Sequence, residues 1–320
     1  MTQLTKALFS LVWIGAMTSL YGVGAPASIP QPDFFSSMGW HKTSNVLFKK
    51  NNFLNNTPEA KSNFERLMKF KLVYDRNMEI GRNPKAKVLI PKIIHQIWIG
   101  QKTPPVTFEK SQESLKRLHP DWEYKLWTDA DIPNLKLHNK KYYDLAENLG
   151  AKADILRYEL LLKYGGVYLD VDFICIKPLD WLLKYTFFAG AQPLDCAGHL
   201  CNCIIGAIPN HPILKDCVQA LGKSWDNNPE KQKNIVDTVG PLHFQRSVMK
   251  FIDNKNLKLM ILPSGFFFPI DFTKRLSGLE GLNSKKTKKS RRKAKSLLLP
   301  ETHAIHYWTS TWWDSGMDYN

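Results

Sequence analysis

Between residues 91 and 308 the chain alternates short apolar runs with stretches of helical periodicity. The run 92–100 (KIIHQIWIG) is rich in β-branched residues and closes on a glycine, the pattern of a strand. Residues 104–118 read as a helix, with proline at the start and Lys116 and Arg117 toward the end. A short strand follows at 123–127. Asp129 and Asp131 then open helix-prone sequence containing Tyr142, Tyr143, Leu145 and Leu149. The helical run 151–164 leads through a glycine pair into an apolar strand ending in acids. Further on, 187–192 and 203–208 read as strands, 211–225 and 242–252 as helices, and 257–263 and 304–308 as strands again. No internal repeat is present. This alternation predicts an α/β fold with a largely parallel central sheet. In such sheets ligands sit at the carboxyl ends of the strands.

Before residue 89 the pattern changes. Lys6 precedes an uncharged run at 7–25, which suits a secretory signal or a single membrane anchor. Residues 26–60 are polar and rich in Asn, Ser and Pro. Residues 57–78 read as an accessory helix with Phe64, Leu67, Met68 and Leu72 on its apolar stripe. The expected plan is therefore signal or anchor at 1–25, stem and accessory helix at 26–88, and one α/β domain at 89–320. A membrane-associated or secretory, extracytoplasmic location follows. Asn55-Asn56-Thr57 would be a glycosylation acceptor in a eukaryotic secretory pathway.

The chain has 320 residues, 43% of them apolar, enough for a substantial core. Its net charge is +15, but the run 284–295 (SKKTKKSRRKAK) supplies eight of these charges, leaving seven for the rest. So local a run reads as a solvated loop, with contact to anionic lipid as the alternative; no nucleic-acid partner is expected. The cysteines number five, so they cannot all pair within the chain. Cys196, Cys201 and Cys203 cluster around His199 without the spacing of a zinc site, which leaves a disulfide or no role.

The unusual chemistry lies in Gly165-Gly166-Val167-Tyr168-Leu169-Asp170-Val171-Asp172. Strand residues two apart share a face, so Asp170 and Asp172 are expected to look the same way. Two like charges so placed repel unless a cation lies between them. Carboxylates suit a hard divalent ion, Mn²⁺ or Mg²⁺. On the preceding helix Asp154 and Arg157 are three apart and share a face, either as a surface salt bridge or as the border of the same cleft. Arginine is suited to phosphate and sugar oxygens. Trp98, at the end of the first strand, is either a stacking platform or an ordinary core residue. His306, in the aromatic tail 303–312, either completes a metal shell with the acids or is simply packed.

Together these segments resemble the glycosyltransferases with a sugar-binding Asp-x-Asp motif. That family includes fungal initiating mannosyltransferases and inositol-phosphoceramide mannosyltransferases; the glucosylating domains of large clostridial toxins are more distantly similar. The resemblance rests on 90–98 (IPKIIHQIW), 153–158 (ADILRY) and 165–172, with weaker matches at Asn202, His211-Pro212, Gly240-Pro241 and 306–312. It implies a GT-A-type nucleotide-sugar-binding domain, a donor such as GDP-mannose or a UDP-hexose, a glycan, lipid or protein acceptor, and transfer with retention. It implies that Trp98 borders the donor base, that Asp154 and Arg157 hold the donor sugar, that Asn202 is a further substrate-binding residue, and that Asp170, Asp172 and Arg157 are the catalytic residues, Arg157 through electrostatic help. Asp170 is shared between donor and metal, while Asp172 and His306 are metal ligands. Ser310 and Trp312 close over the diphosphate. Two positions depart from the family pattern: Ala153 stands where a serine often precedes the aspartate, and Thr238-Val239-Gly240-Pro241 is one residue longer than usual. The competing classes are a metal-dependent phosphohydrolase or nuclease, and a non-catalytic module that binds sugar or membrane.

Overall fold

The computed structural model describes residues 29–40, 57–227, 234–272 and 296–309. The run 1–25, Asn55, the basic run 284–295, Ser310 and Trp312 lie outside the described residues.

Among the described residues eight strands form two sheets. They are β1 (Ile93–Ile97), β2 (Glu123–Trp127), β3 (Gly166–Leu169), β4 (Phe173–Cys175), β5 (Phe187–Ala191), β6 (Leu200–Ala207), β7 (Leu259–Leu262) and β8 (Ala304–His306). Six of them make the central sheet in the order β2-β1-β3-β6-β5-β7. β1 runs parallel to both β2 and β3, and β5 runs parallel to β7. β6 enters antiparallel to β3 and β5. The α/β architecture with a largely parallel sheet is thus as expected. β4 and β8 pair antiparallel in a separate two-stranded sheet, with Phe173 opposite His306.

The helices are α1 (Phe34–Ser37), α2 (Pro58–Arg82), α3 (Val106–Leu118), α4 (Lys140–Leu145), α5 (Leu149–Tyr164), α6 (Pro212–Asp226), α7 (Ile235–Thr238) and α8 (Pro241–Phe251). The helix-prone stretch opened by Asp129 and Asp131 forms only short pieces: a 3-10 turn at Ile132–Asn134, with Asp131 at its N-cap, and then α4. The Asp131 carboxylate accepts from the Thr128 amide, a local bond that favours a turn, while Asp129 accepts from the distant Gly100 amide.

α2 starts where Thr57 accepts a bond from the Ala60 amide, with Pro58 in the first turn. Its buried stripe is not the expected one. Phe64 and Leu72 are 40% and 60% exposed, while Ala60, Leu67, Phe70, Val73, Tyr74 and Met78 are buried. The true stripe includes small and polar members, Asn63, Arg66, Asn77 and Gly81, which a search for large apolar residues passes over. One of them does a specific job: Asn77 donates to the Leu259 carbonyl at 2.7 Å, satisfying backbone on the sheet's edge strand β7.

Three buried histidines hold the layers together in the same way. His95 donates from Nε2 to the Gly165 carbonyl, and its Nδ1 accepts from the Trp127 indole. His303 donates from Nδ1 to the Glu301 carbonyl and accepts from the Trp181 indole. His119 donates to the Leu115 carbonyl and accepts from the Leu179 amide. Each ring is a donor on one side and an acceptor on the other, which only neutral imidazole provides. Burial pulls the pKa of all three down, to about 4 for His95 and His303. Their folded pKa lies below the unfolded value near 6.5, so the unfolded chain takes up protons first as pH falls. For His95 and His303 the contribution to stability is complete above pH 6.5 and is lost progressively between 6.5 and about 4, and His119 acts in the same direction. Urea unfolding at pH 7.5, 6 and 5 is expected to show a steadily falling midpoint; an unchanged midpoint across that interval would contradict the assignment.

Candidate active site

The local sequence delivers the acids through a tight turn. Asn148 caps α5 by accepting from the Gly150 and Ala151 amides. Gly165 ends the helix at φ 64°, and Gly166 follows at φ 95°. A Cβ on Gly166 would lie 2.6 Å from the Ile93 carbonyl oxygen, so the β1–β3 contact requires glycine there. β3 then runs for four residues. The two acids do not share a strand face as expected: the strand stops at Leu169, and Asp170 and Asp172 lie on the turn into β4. The turn brings them together nonetheless. Ligand atoms of Asp170, Asp172 and His306 all lie within 4.8 Å of one another.

The inner half of the site is a buried charge network centred on Arg157. Its guanidinium meets the Asp154 carboxylate at 2.9 Å and the Asp170 carboxylate at 3.2 Å, and donates to the Asn202 carbonyl at 2.7 Å. It also lies over the Tyr168 ring, 4.5 Å from the centroid. The Asn202 amide donates to Asp154 and to the Tyr158 hydroxyl, and Tyr158 donates to the Val239 carbonyl. Tyr168 donates to Asp170 at 2.6 Å. Asp154 and Arg157 are therefore no surface salt bridge; they are 8% and 4% exposed. Tyr158 and Tyr168 lie within the motifs at 153–158 and 165–172, but the sequence assigned neither a role in the site. The i, i+4 spacing of Asp154 and Tyr158 and the i, i+2 spacing of Tyr168 and Asp170 were the available signals.

One guanidinium faces two carboxylates, so one negative charge is uncompensated within this group. Burial pushes the Asp154 pKa up to about 7, against the pull of Arg157. Asp170 is also raised by burial, with Arg157 opposing and Asp172 adding repulsion. Arg157 moves the opposite way from what burial alone would cause, because Tyr168, Asp170 and Asp154 hold its proton. Arg157 stays cationic, its charge being permanent in proteins, and the rise at Asp154 is the cost of burying a second acid beside the same cation.

The outer half is built from chain ends far apart in sequence. The β4–β8 register sets His306 beside Asp172, with Nε2 at 3.1 Å from one carboxylate oxygen. Thr309 donates to the other oxygen twice, from its amide at 2.8 Å and its hydroxyl at 2.9 Å. Between them Trp308 takes φ 48°, a conformation that costs a bulky residue about 1–3 kcal/mol. Burial raises the Asp172 pKa, but His306 and Thr309 more than offset it and hold the carboxyl at about 2. Asp172 is therefore an anion throughout the physiological range. Thr309, within the segment 306–312, likewise had no assigned role in the site.

Trp98 packs in a small cluster with Phe108 and Val171, the residue between the two acids, and is 8% exposed. Its indole donates to the Lys102 carbonyl. Cys201 and Cys203 form a disulfide that brackets Asn202, while Cys196 stays out of it. A cavity of about 560 Å³, lined in part by Lys136, Glu159 and Lys215, contains none of the acid-site residues.

Removing one member of a buried ion network leaves the others unpaired, which typically costs about 3–5 kcal/mol. Arg157→Met is therefore expected to lose stability on that scale at pH 7, while Asp154→Asn, which removes the surplus charge, loses far less. Urea unfolding of both variants compares them; equal losses would contradict the shared-cation reading.

The description "Glycosyltransferase sugar-binding region containing DXD motif" belongs to the family model that matches residues 105–188. Inositol phosphoceramide mannosyltransferase 2 of Schizosaccharomyces pombe is 35% identical over 48% of this chain and 45% of its own length. The uncharacterized glycosyltransferase L373 of Acanthamoeba polyphaga mimivirus is 30% identical over 52% of this chain and 67% of its own. Among solved structures, the PaToxG glycosyltransferase superposes with a TM-score of 0.44 at 18% identity, over 72% of this chain and 92% of that one. The chain spans about half the length of the inositol phosphoceramide mannosyltransferases it matches. With the Asp-x-Asp turn, its upstream Asp-x-x-Arg helix, the family model and the relatives matched in sequence in agreement, the chain belongs to the glycosyltransferase family whose sugar-binding region carries the DXD motif.

Proposed function

We propose that the protein is a metal-dependent glycosyltransferase with a GT-A-type domain that moves a hexose from a nucleotide-sugar donor to an acceptor, with retention. The observation that carries this reading is the convergence of Asp170, Asp172 and His306 beside the buried Arg157 network, in a chain of the DXD family. Several relatives 31–36% identical are named inositol phosphoceramide mannosyltransferases. They favour mannose, from GDP-mannose, and a lipid acceptor with an inositol phosphate head. A UDP-hexose donor and a glycan or protein acceptor are the competing choices within the same reaction.

The residues fit a divalent ion. Two carboxylates and an imidazole form an oxygen-rich set suited to Mn²⁺ or Mg²⁺. His306 Nε2 lies 3.1 Å from one Asp172 oxygen, so both groups would face the same ion. His306 Nδ1 is buried without a hydrogen-bond partner. In this reading Asp172 and His306 hold the ion and Asp170 shares it with the donor. The chemistry supplied when the ion is bound is Lewis-acid neutralisation of the departing diphosphate.

The chain's own groups do the rest. Arg157 is almost wholly buried, with its guanidinium against Asp154, Asp170 and the Asn202 carbonyl, so it acts by orienting Asp154 and Asp170. Asp170, with 28% of its side chain exposed, is the member open to ligand. Asp154 can accept from a donor-sugar hydroxyl, and Trp98 borders the base. Ser310 and Trp312 close over the diphosphate and exclude water, which would otherwise hydrolyse the donor. No carboxylate nucleophile is assigned. A hydrolase or nuclease would need a denser acid cluster than the one present among the described residues. Among those residues no helix is long and apolar enough to cross a membrane. Membrane association or secretion would therefore rest on residues 7–25, with the basic run 284–295 as a second contact.

Transfer from GDP-mannose, UDP-glucose and UDP-galactose, with and without Mn²⁺, tests the reading. Mn²⁺-dependent mannosylation of an inositol phosphate-headed lipid is expected. No binding or turnover of any donor, or cleavage of DNA instead, would overturn it. Asp172→Asn is expected to abolish transfer and Mn²⁺-dependent donor binding while keeping the circular dichroism of the parent. Full activity in that variant would remove the metal site from the mechanism.

A further inference from the structure

We infer that Thr309 is a positioning residue that makes Asp172 a one-oxygen ligand and so selects a small octahedral ion over calcium. This rests on the metal-site reading above.

A carboxylate has two oxygens and about four lone-pair positions. At Asp172 the two oxygens are used differently. One faces His306 Nε2 at 3.1 Å. The other accepts both the amide and the hydroxyl of Thr309, at 2.8 and 2.9 Å. Those two donors fill that oxygen's lone pairs, leaving only the oxygen on the His306 side to face a cation. The carboxylate is 5% exposed, so water is poorly placed to replace a lost donor.

The arrangement is held from both sides. The Tyr307 amide donates to the Asp172 carbonyl at 3.0 Å, which ties the segment after β8 to the acid's own backbone. Trp308 then takes φ 48° and packs against His306, ring centroids 4.3 Å apart. That left-handed residue lies between His306 on one Asp172 oxygen and Thr309 on the other.

The consequence concerns which ion fits. Calcium takes six to eight oxygens and commonly uses both oxygens of one carboxylate. Magnesium demands octahedral geometry with single-oxygen contacts, and a two-carboxylate, one-imidazole set also suits manganese. With one oxygen occupied by Thr309, Asp172 cannot be bidentate. Thr309 therefore acts on the ion through Asp172, without being a ligand.

The test uses the full chain with Mn²⁺ alone, following free Mn²⁺ by electron paramagnetic resonance, and Ca²⁺ as competitor. Thr309→Val keeps the shape and the amide but removes the hydroxyl donor; Thr309→Ser restores it. Outer-shell losses typically cost about 10–100-fold in metal affinity. The valine variant is expected to bind Mn²⁺ about tenfold more weakly and to be displaced by Ca²⁺ at a lower Ca²⁺/Mn²⁺ ratio than the parent. The serine variant is expected to match the parent. Thermal melting without metal checks that each variant folds, and Thr309→Ala replaces valine if that side chain disturbs packing. Parent-like Mn²⁺ affinity and Ca²⁺ competition in the valine or alanine variant would overturn the inference alone. Failure of the parent to bind Mn²⁺ would overturn the metal-site reading beneath it.

Discussion

One guanidinium shared between two buried carboxylates is the constraint around which the site is built. Arg157 bridges Asp154 on its own helix and Asp170 beyond the next strand. The bridge is affordable only because the helix, the glycine turn and the strand are contiguous. A shift of either element by one residue would leave a buried charge without its partner. The sheet, the turn and the network therefore specify each other. The network also leaves a residual negative charge at the strand end. That imbalance comes from the network's own residues, two buried acids to one buried cation, rather than from charges on the surface.

Two halves of the site obey different physics. The inner half is short-range: Asp154 and Arg157 are i, i+3 on one helix, and Tyr168 and Asp170 are i, i+2. The outer half depends on a strand pair joining β4 to β8, with Thr309 reaching Asp172 across 137 positions. Asp170 belongs to both halves. It takes Arg157 from one side and lies within reach of Asp172 and His306 on the other.

The difference explains what could be read from the chain. The strand at Glu123–Trp127 and the helices around Asp154 and His211 are visible in periodicity because they are local. The acid pair was visible because two carboxylates after an apolar strand are costly without a reason. Their shared strand face was not, since the residue at which a short strand ends is set by its neighbours: the Asp170 amide bonds the Cys203 carbonyl of β6. The apolar stripe of α2 was misplaced because polar Asn63, Arg66 and Asn77 are buried in it. Tyr158 and Thr309 lie in the segments 153–158 and 306–312 but were given no site role, because tyrosine and threonine are common residues. Only their partners mark them out.

The β4–β8 pairing has a further consequence for how the protein comes into being. The aspartates, the arginine helix and the glycine turn emerge from synthesis well before residues 304–309. A chain stopped short of β8 would present Asp172 without its imidazole and without both hydrogen bonds from Thr309. Such a chain would leave the Asp172 carboxylate open to water, with Phe173 unpaired on that side. Formation of the acid site is thereby tied to synthesis through residue 309, and a ribosome must carry the chain 137 positions past Asp172 before that carboxylate finds its partners.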